Sequence, residues 1–184
     1  MQLLRDSCIQ ISSDTCMADI RNSQAMVEDA VRHHSTRGHI SSSQTGYLLK
    51  RIGTTAVGKF RLRPKLHKPE LCARPVFNFT SSCIQPTAVF LCDSLEPVMA
   101  TCKHVCNSSD NWIERLKLFP DSGFRPDALR IMVIDILSLY PNIDQDLLIH
   151  VVSKKVCRYY QNKPGFATLC CNLLKIVIRA QHTC

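Results

Sequence analysis

One aspartate stands inside the most apolar stretch of the sequence. Asp135 lies between Ile134 and Ile136 in the run 131–139, whose other residues are apolar apart from one serine. A continuous apolar run of this length predicts a strand buried on both faces, where an unpartnered carboxylate would cost several kcal/mol. Asp135 therefore requires a partner. Two interpretations stay open: a structural aspartate hydrogen-bonded to a nearby turn, or a strand-end carboxylate that holds Mg²⁺.

Positive charge is concentrated in two blocks of the chain. The net charge is +8, and residues 50–74 carry eight basic side chains against one acidic side chain, while residues 150–184 carry six basic side chains and no acidic one. This density suits contact with a polyanion such as nucleic acid, and a solvated basic face is the alternative. The first block consists of Lys50, Arg51, Lys59, Arg61, Arg63, Lys65, Lys68 and Arg74.

Length and composition restrict the class of protein. The 184 residues suit one domain or part of a larger one, and 45% hydrophobic residues exclude global disorder. The apolar runs are far shorter than the roughly 20 residues of a membrane span, and no secretory signal is visible. We therefore expect an intracellular protein, nuclear or cytoplasmic, without a membrane partner. The eleven cysteines include no Cys-x-x-Cys pair, so we interpret them as reduced packing thiols.

Local patterns in the first half predict two helices and a basic hairpin. Apolar spacing predicts a helix over 17–35 that stops at Gly38, and Ser41 offers an N-cap to a short second helix. Prolines within 59–79 forbid a regular helix there and favour extended segments that flank a turn at 68–70.

Four further helices are predicted in the second half, and their apolar stripes are interpreted as core faces. Trp112, Ile113, Leu116 and Phe119 form one such stripe, and Leu147, Leu148, Val151, Val152 and Val156 form another. The predicted helices cover 87–96 with a break or kink at Pro97, the segment after Ser108 or Ser109, the segment after Asn142 or Asp144, and 166–178.

The string around the aspartate resembles a known motif. Asp135-Ile-Leu-Ser-Leu-Tyr140-Pro-Asn-Ile-Asp144 resembles motif A of reverse transcriptases, in the form found in Penelope-like retroelements. Family B DNA polymerases carry a related string but lack Pro-Lys-x-His-Lys-Pro upstream, which disfavours them. The segments that resemble Penelope-like fingers and their helical surroundings are Pro64-Lys-Leu-His-Lys-Pro69, Ala73-Arg74-Pro75-Val76, Gln85-Pro86-Thr87, 28–53 and 173–177.

The resemblance implies a role for each matching residue. Asp135 would be the first metal-binding aspartate of a two-metal nucleotidyl transferase, with the Ile136 carbonyl as a second Mg²⁺ ligand. Tyr140 would lie beneath the sugar of the incoming nucleotide and exclude a 2′-hydroxyl. The residues implied in triphosphate binding are Ser138 and Leu139 through their backbone N–H groups, Arg74, and either Lys65 or Lys68. The residues implied in contact with nucleic acid are Lys59, Arg61 and Arg63.

The implied fold is α+β, a partial reverse-transcriptase fingers and palm with a helical N-terminal lead-in. We expect three segments: the lead-in over 1–54, a fingers-like region over 55–130, and a partial palm over 131–184. The implied partners are an RNA template, a DNA primer and deoxynucleoside triphosphates. The sequence contains Arg63 where the family has an apolar residue, and it contains no adjacent Asp-Asp pair typical of motif C. We therefore expect no polymerisation by this chain alone.

Three functions remain open at this level. The first is a fragment of an RNA-directed DNA polymerase of a transposable element. The second is a non-catalytic nucleic-acid-binding protein derived from a reverse transcriptase, for which the basic hairpin would suffice. The third and weaker alternative is a fragment of a family B DNA polymerase.

Overall fold

The computed structural model describes residues 13–54, 59–64, 73–106, 108–118, 130, 132–136 and 139–180. Within these residues the chain forms seven helices and one pair of strands. The elements are α1 (Ser13–Thr36), α2 (Ser42–Leu49), β1 (Lys59–Pro64), β2 (Ala73–Asn78), α3 (Gln85–Ala100), α4 (Ser109–Lys117), α5 (Leu139–Asn142), α6 (Gln145–Tyr159) and α7 (Pro164–Ala180).

Helix α1 ends, and helix α2 begins, at the signals predicted from the sequence. Helix α1 ends at Thr36, and Gly38 follows with a φ of 68°, a left-handed conformation that favours glycine. The Ser41 hydroxyl accepts a hydrogen bond from the Gln44 backbone N–H at 3.2 Å, and the Gln44 side chain accepts one from the Ser41 N–H at 2.9 Å. This reciprocal pair is a capping box, so the predicted N-cap is confirmed.

Strands β1 and β2 form an antiparallel hairpin, which confirms the predicted extended segments. The register pairs Arg63 directly with Arg74. Pro64 and Pro75 fit because both strands of a two-stranded sheet are edge strands, where a missing N–H is tolerated. The predicted turn at 68–70 lies outside the described residues.

Helix α7 forms the centre of the helical core. It packs against α1, α3 and α6, and its Leu169 and Leu173 are completely buried. The core thus draws residues from each of the three expected segments, whose boundaries remain a prediction. The same cluster contains, from the other helices, Val27, Val31, Leu48, Phe90, Leu91, Val98 and Val156.

Local signals also set the starts of α4 and α6. The Ser108 hydroxyl accepts a hydrogen bond from the Asn111 N–H at 3.1 Å, and the Asp144 carboxylate accepts one from the Leu147 N–H at 2.9 Å. Helix α3 continues through Pro97 to Ala100, so the predicted break there is wrong. A proline so close to the C-terminus of a helix removes a single backbone hydrogen bond near the helix end.

One predicted core face, on α4, is exposed where the structure describes it, and another, on α6, is only partly buried. Trp112, Ile113 and Leu116 of α4 are exposed, and no residue of α4 is buried. Along α6 the buried side chains are Ile149 and Val156, whereas Leu147 and Val151 face solvent. Apolar spacing indicated these stripes correctly as faces of helices, but burial also needs a neighbouring element, which spacing alone does not supply.

The predicted buried strand over 130–139 is wrong for the part of it that the structure describes. Residues 130 and 132–136 have no regular secondary structure, and helix α5 begins at Leu139. Val133 is 90% exposed and Met132 is 79% exposed. A doubly buried strand requires neighbouring strands and a cover on each face. The two strands of the described fold pair with each other in the hairpin.

The observed architecture is therefore mostly helical, with one small antiparallel hairpin. The α+β class is met only in this loose sense, because the core is a packing of helices around α7 and not a sheet around 130–139. The predicted site residues that the structure describes lie on the exposed segment 132–136, on the hairpin and at the start of α5.

Candidate functional site

Asp135 lies on an exposed segment and not in a core. Its side chain is exposed, and the flanking Ile134 and Ile136 are 72% and 63% exposed. This exposure does not fit a buried structural aspartate. It leaves the carboxylate open to an external cation, and a carboxylate beside a backbone carbonyl offers the hard oxygen donors that Mg²⁺ takes.

The donors available for a metal are few in the described structure. No group of three or more His, Cys, Asp or Glu side chains that could hold a metal ion occurs among the described residues. Mg²⁺ is commonly bound by one or two protein carboxylates together with waters and substrate phosphates. The donor set at Asp135 and Ile136 is compatible with Mg²⁺ bound in that manner.

The hairpin collects basic residues at one face. Lys59, Arg61 and Arg63 alternate along β1, and Arg74 of β2 is paired with Arg63, so the four positions belong to the same face of the hairpin. The Arg63 side chain is exposed. Like charges directly opposite each other destabilise a strand pair, and a bound anion relieves that repulsion. The register therefore concentrates positively charged positions on this face.

The remaining predicted nucleotide-binding residues are only partly placed. Leu139 is exposed at the start of α5, and Tyr140 follows it in the same helix. Lys65, Lys68 and Ser138 lie outside the described residues. The structure thus brings Arg63 and Arg74 together and leaves the implied triphosphate contacts as predictions.

The structure contains a buried histidine near the end of α1 that was not among the candidate residues from the sequence. His33 is exposed, but His34 is only 3% exposed. The signal was available, because Val27, Val31 and His34 are spaced by four and three residues on one face of α1.

His34 is paired with a second histidine beyond the end of α1. The Nδ1 atoms of His34 and His39 are 2.9 Å apart, so one ring donates to the other and at least one is neutral. A Cβ placed on Gly165 would lie 2.3 Å from the His39 ring, so the first turn of α7 accepts that ring only because residue 165 is glycine. These rings line a cavity of about 880 Å³ between α1 and α7, together with Arg37, Lys175 and Arg179.

The surroundings of His34 disfavour its charged form. Burial lowers the pKa of His34 below its ordinary value, and His39, His33 and Arg37 add positive charge that lowers it further. The Gly165 backbone acts in the opposite direction. His34 is therefore held in its neutral form within the folded chain.

We expect the free energy of unfolding to fall as the pH is lowered below about 6.5, the ordinary pKa of histidine. Because the folded-state pKa of His34 is lowered, the unfolded chain binds its proton more readily. The contribution of this pKa difference to the free energy of unfolding is present above the ordinary pKa. It is lost as the pH falls through the pKa of His34 in the folded state. Urea unfolding between about pH 7.5 and 5 measures this dependence.

The matched variants for this measurement are His34→Asn and His104→Asn. His104 is an exposed histidine before α4, so its replacement should leave the pH dependence unchanged. His34→Asn should flatten it. An equal pH dependence in the two variants would contradict the role assigned to His34.

Comparison with known proteins identifies no relative. No family model, curated protein or solved structure matches this chain. Across the part of the chain that the structure describes, no helix combines the length and apolarity needed to cross a membrane. The functional argument consequently depends on the chemistry of the exposed aspartate and of the basic hairpin.

Proposed function

We propose that the chain is the fingers and first palm segment of an RNA-directed DNA polymerase of a Penelope-like retroelement. The resemblance of 135–144 to motif A, together with the ordered upstream strings, supports this function. In the complete enzyme the substrates are an RNA template, a DNA primer and deoxynucleoside triphosphates. Asp135 and the Ile136 carbonyl would hold Mg²⁺, an ion that neutralises phosphate charge during nucleotidyl transfer.

The observation that carries the proposal is the direct opposition of Arg63 and Arg74 in the hairpin. Arginine presents a planar fork of N–H donors that matches phosphate oxygens. Two such cations at directly paired positions repel each other, and a phosphate backbone or a triphosphate stabilises them. Arg74 is also the residue that the resemblance assigns to the triphosphate.

The exposed apolar segment gives a second support. Met132, Val133 and Ile134 expose most of their surface, although burying each such side chain is worth about 1.5–3 kcal/mol. A segment of this kind is stabilised by neighbouring strands that cover it. In a complete palm the strand that carries motif A has such neighbours, which accounts for the apolar composition of 131–139.

A non-catalytic nucleic-acid-binding protein derived from a reverse transcriptase is the second candidate. The basic hairpin favours it equally, because phosphate contacts need no metal and no further carboxylate. The two candidates differ at Asp135, which matters to the polymerase and is irrelevant to charge-driven binding. A family B polymerase fragment has no support in the hairpin, whose sequence that family lacks.

We expect the chain to bind nucleic acid without sequence preference and with strong salt dependence. Replacing Lys59, Arg61, Lys65 and Lys68 with alanine should weaken binding and flatten the slope of log K against log salt. On duplex DNA the slope should change by about 0.9 for each phosphate that the protein no longer neutralises. Fluorescence anisotropy of labelled oligonucleotides of unrelated sequence, over a series of salt concentrations, measures both quantities.

The matched control removes the same number of charges elsewhere. Arg21, Lys103, Lys117 and Lys163 are exposed residues on or beside α1, α3, α4 and α6. Their replacement with alanine should change the salt slope much less than the hairpin variant does. Equal slopes for the two variants would mean that the hairpin is merely a solvated basic face.

A further inference from the structure

Two thiols approach each other across the interface between α6 and α7. The Sγ atoms of Cys157 and Cys171 are 3.9 Å apart, although the residues are 14 positions apart in sequence. The Cys171 thiol also lies 3.9 Å from the Ser153 carbonyl oxygen, one turn before Cys157 on the same helix. The two helices pack closely along this line, so the contact is part of the helical core and not of a loop.

The two thiols differ in their exposure to solvent. Cys157 is exposed, so a small oxidant in solvent reaches it directly. Cys171 is buried, and burial raises the pKa of its thiol above the ordinary value. A buried, neutral thiol reacts slowly with an external oxidant but remains available to a sulfur placed beside it.

We propose that Cys157 and Cys171 are a peroxide-oxidisable pair that forms a disulfide between α6 and α7. A peroxide is the oxidant. The inference depends on the geometry of the helical core and is independent of the polymerase assignment.

The chemistry balances in two steps. The Cys157 sulfur attacks one peroxide oxygen, an S–O bond forms, the O–O bond breaks, and the departing hydroxide leaves as water with the proton of the Cys157 thiol. The Cys171 sulfur then attacks the Cys157 sulfur, an S–S bond forms, the S–O bond breaks, and the hydroxyl leaves as water with the Cys171 proton. Both thiols are oxidised, and one hydrogen peroxide is reduced to two waters.

The geometry requires only a small movement. A disulfide has an S–S distance of about 2.05 Å, so the two sulfurs must approach by roughly 2 Å. Cys157 is exposed, so its side chain is not enclosed on every side. The neighbouring Cys170 is buried too, and burial raises the pKa of its thiol to about 12.

The bond would join two helices that are connected only by the short segment 160–163. A covalent link of this kind restricts the unfolded chain more than the folded one. The oxidised protein should consequently unfold at a higher temperature than the reduced protein, and a reductant should reverse the shift.

Peptide mapping tests the proposal on the full chain. Reduced protein is treated with hydrogen peroxide, free thiols are blocked with a maleimide, and the protein is digested with trypsin. We expect a linked product of fragments 156–158 and 159–175 that carries one maleimide on Cys170 and otherwise lacks two hydrogen atoms relative to the separate fragments. Tandem mass spectrometry of that product identifies Cys171, and not Cys170, as the bonded residue.

Variants provide the controls. The linked product should be lost in Cys157→Ser and in Cys171→Ala, and it should persist in Cys170→Ala and in Cys92→Ser, which replaces another exposed cysteine. Peroxide treatment that leaves Cys157 as a sulfinic acid with no linked product would overturn the proposal. A product bonded through Cys170 would overturn it too. Mapping of the unsubstituted chain decides the matter even if a variant fails to fold.

Discussion

The Leu173→Ala variant is expected to lose about 2–5 kcal/mol of the free energy of unfolding. Leu173 is completely buried in α7, the helix that packs against α1, α3 and α6. Removing its side chain leaves a cavity in the core, into which the surrounding residues can collapse only in part. Since a domain of ordinary size is stable by only about 5–15 kcal/mol, this loss is large. Urea unfolding followed by circular dichroism measures it.

Leu147→Ala is the matched control for this prediction. The same side chain is removed from a helical residue, but Leu147 is 60% exposed on α6. The expected change is about 0.5 kcal/mol or less, as for surface substitutions in general. If the two variants lost equal stability, α7 would not be the centre of the core.

The second large effect concerns catalysis in a fusion. When a related segment with motifs B and C is joined after residue 184, we expect template-dependent primer extension, and Asp135→Ala should abolish it. The reason is that the carboxylate proposed to hold Mg²⁺ is removed. Extension of a labelled DNA primer on an RNA template, with deoxynucleoside triphosphates and Mg²⁺, measures the loss.

Two further variants separate the proposed roles in that fusion. Asp93→Ala removes an exposed aspartate from α3 and should leave extension intact. Tyr140→Ala should keep activity but allow ribonucleotides to be incorporated, because the steric barrier beneath the sugar is removed. Extension that survives Asp135→Ala would contradict the assignment of the metal carboxylate.

Signals that act over a few residues were predicted well. The stop at Gly38, the caps at Ser41, Ser108 and Asp144, and the helical character of 166–178 were each confirmed. In every case the deciding hydrogen bond or backbone dihedral lies within four residues of the signal. Such features follow from the local sequence because they need no distant partner.

Features that depend on distant partners were predicted poorly. The run around Asp135 has the composition of a buried strand, yet strand formation is decided by neighbours that composition does not supply. The prediction that the apolar face containing Trp112 is buried was wrong for the same reason. Conversely, His34 is buried because α7 lies against α1: its spacing from Val27 and Val31 marks a shared face of α1, but that spacing does not say which element covers the face.

In the candidate site, too, some features follow from the local sequence and others depend on distant partners. The basic positions of the hairpin follow from the alternation along β1 and from the prolines that exclude a regular helix there, both of which are local. The pairing of Arg63 with Arg74 depends on the strand register, which could not be predicted from the number of residues in 65–72. Any Mg²⁺ ligands beyond the proposed pair, Asp135 and Ile136, would be brought to them by tertiary assembly, which the local sequence does not specify.

The exposure of 132–136 also has a consequence for how the protein behaves in concentrated solution. An uncovered segment forms strand pairs with identical segments of other molecules when it has strong strand propensity, little charge and no proline. Asp135 is the one charged residue of the run 131–139, and repulsion between copies of its carboxylate opposes such pairing. We therefore expect the same aspartate that is proposed to bind Mg²⁺ to oppose self-association as well, so that aggregation increases when a bound metal ion neutralises its charge.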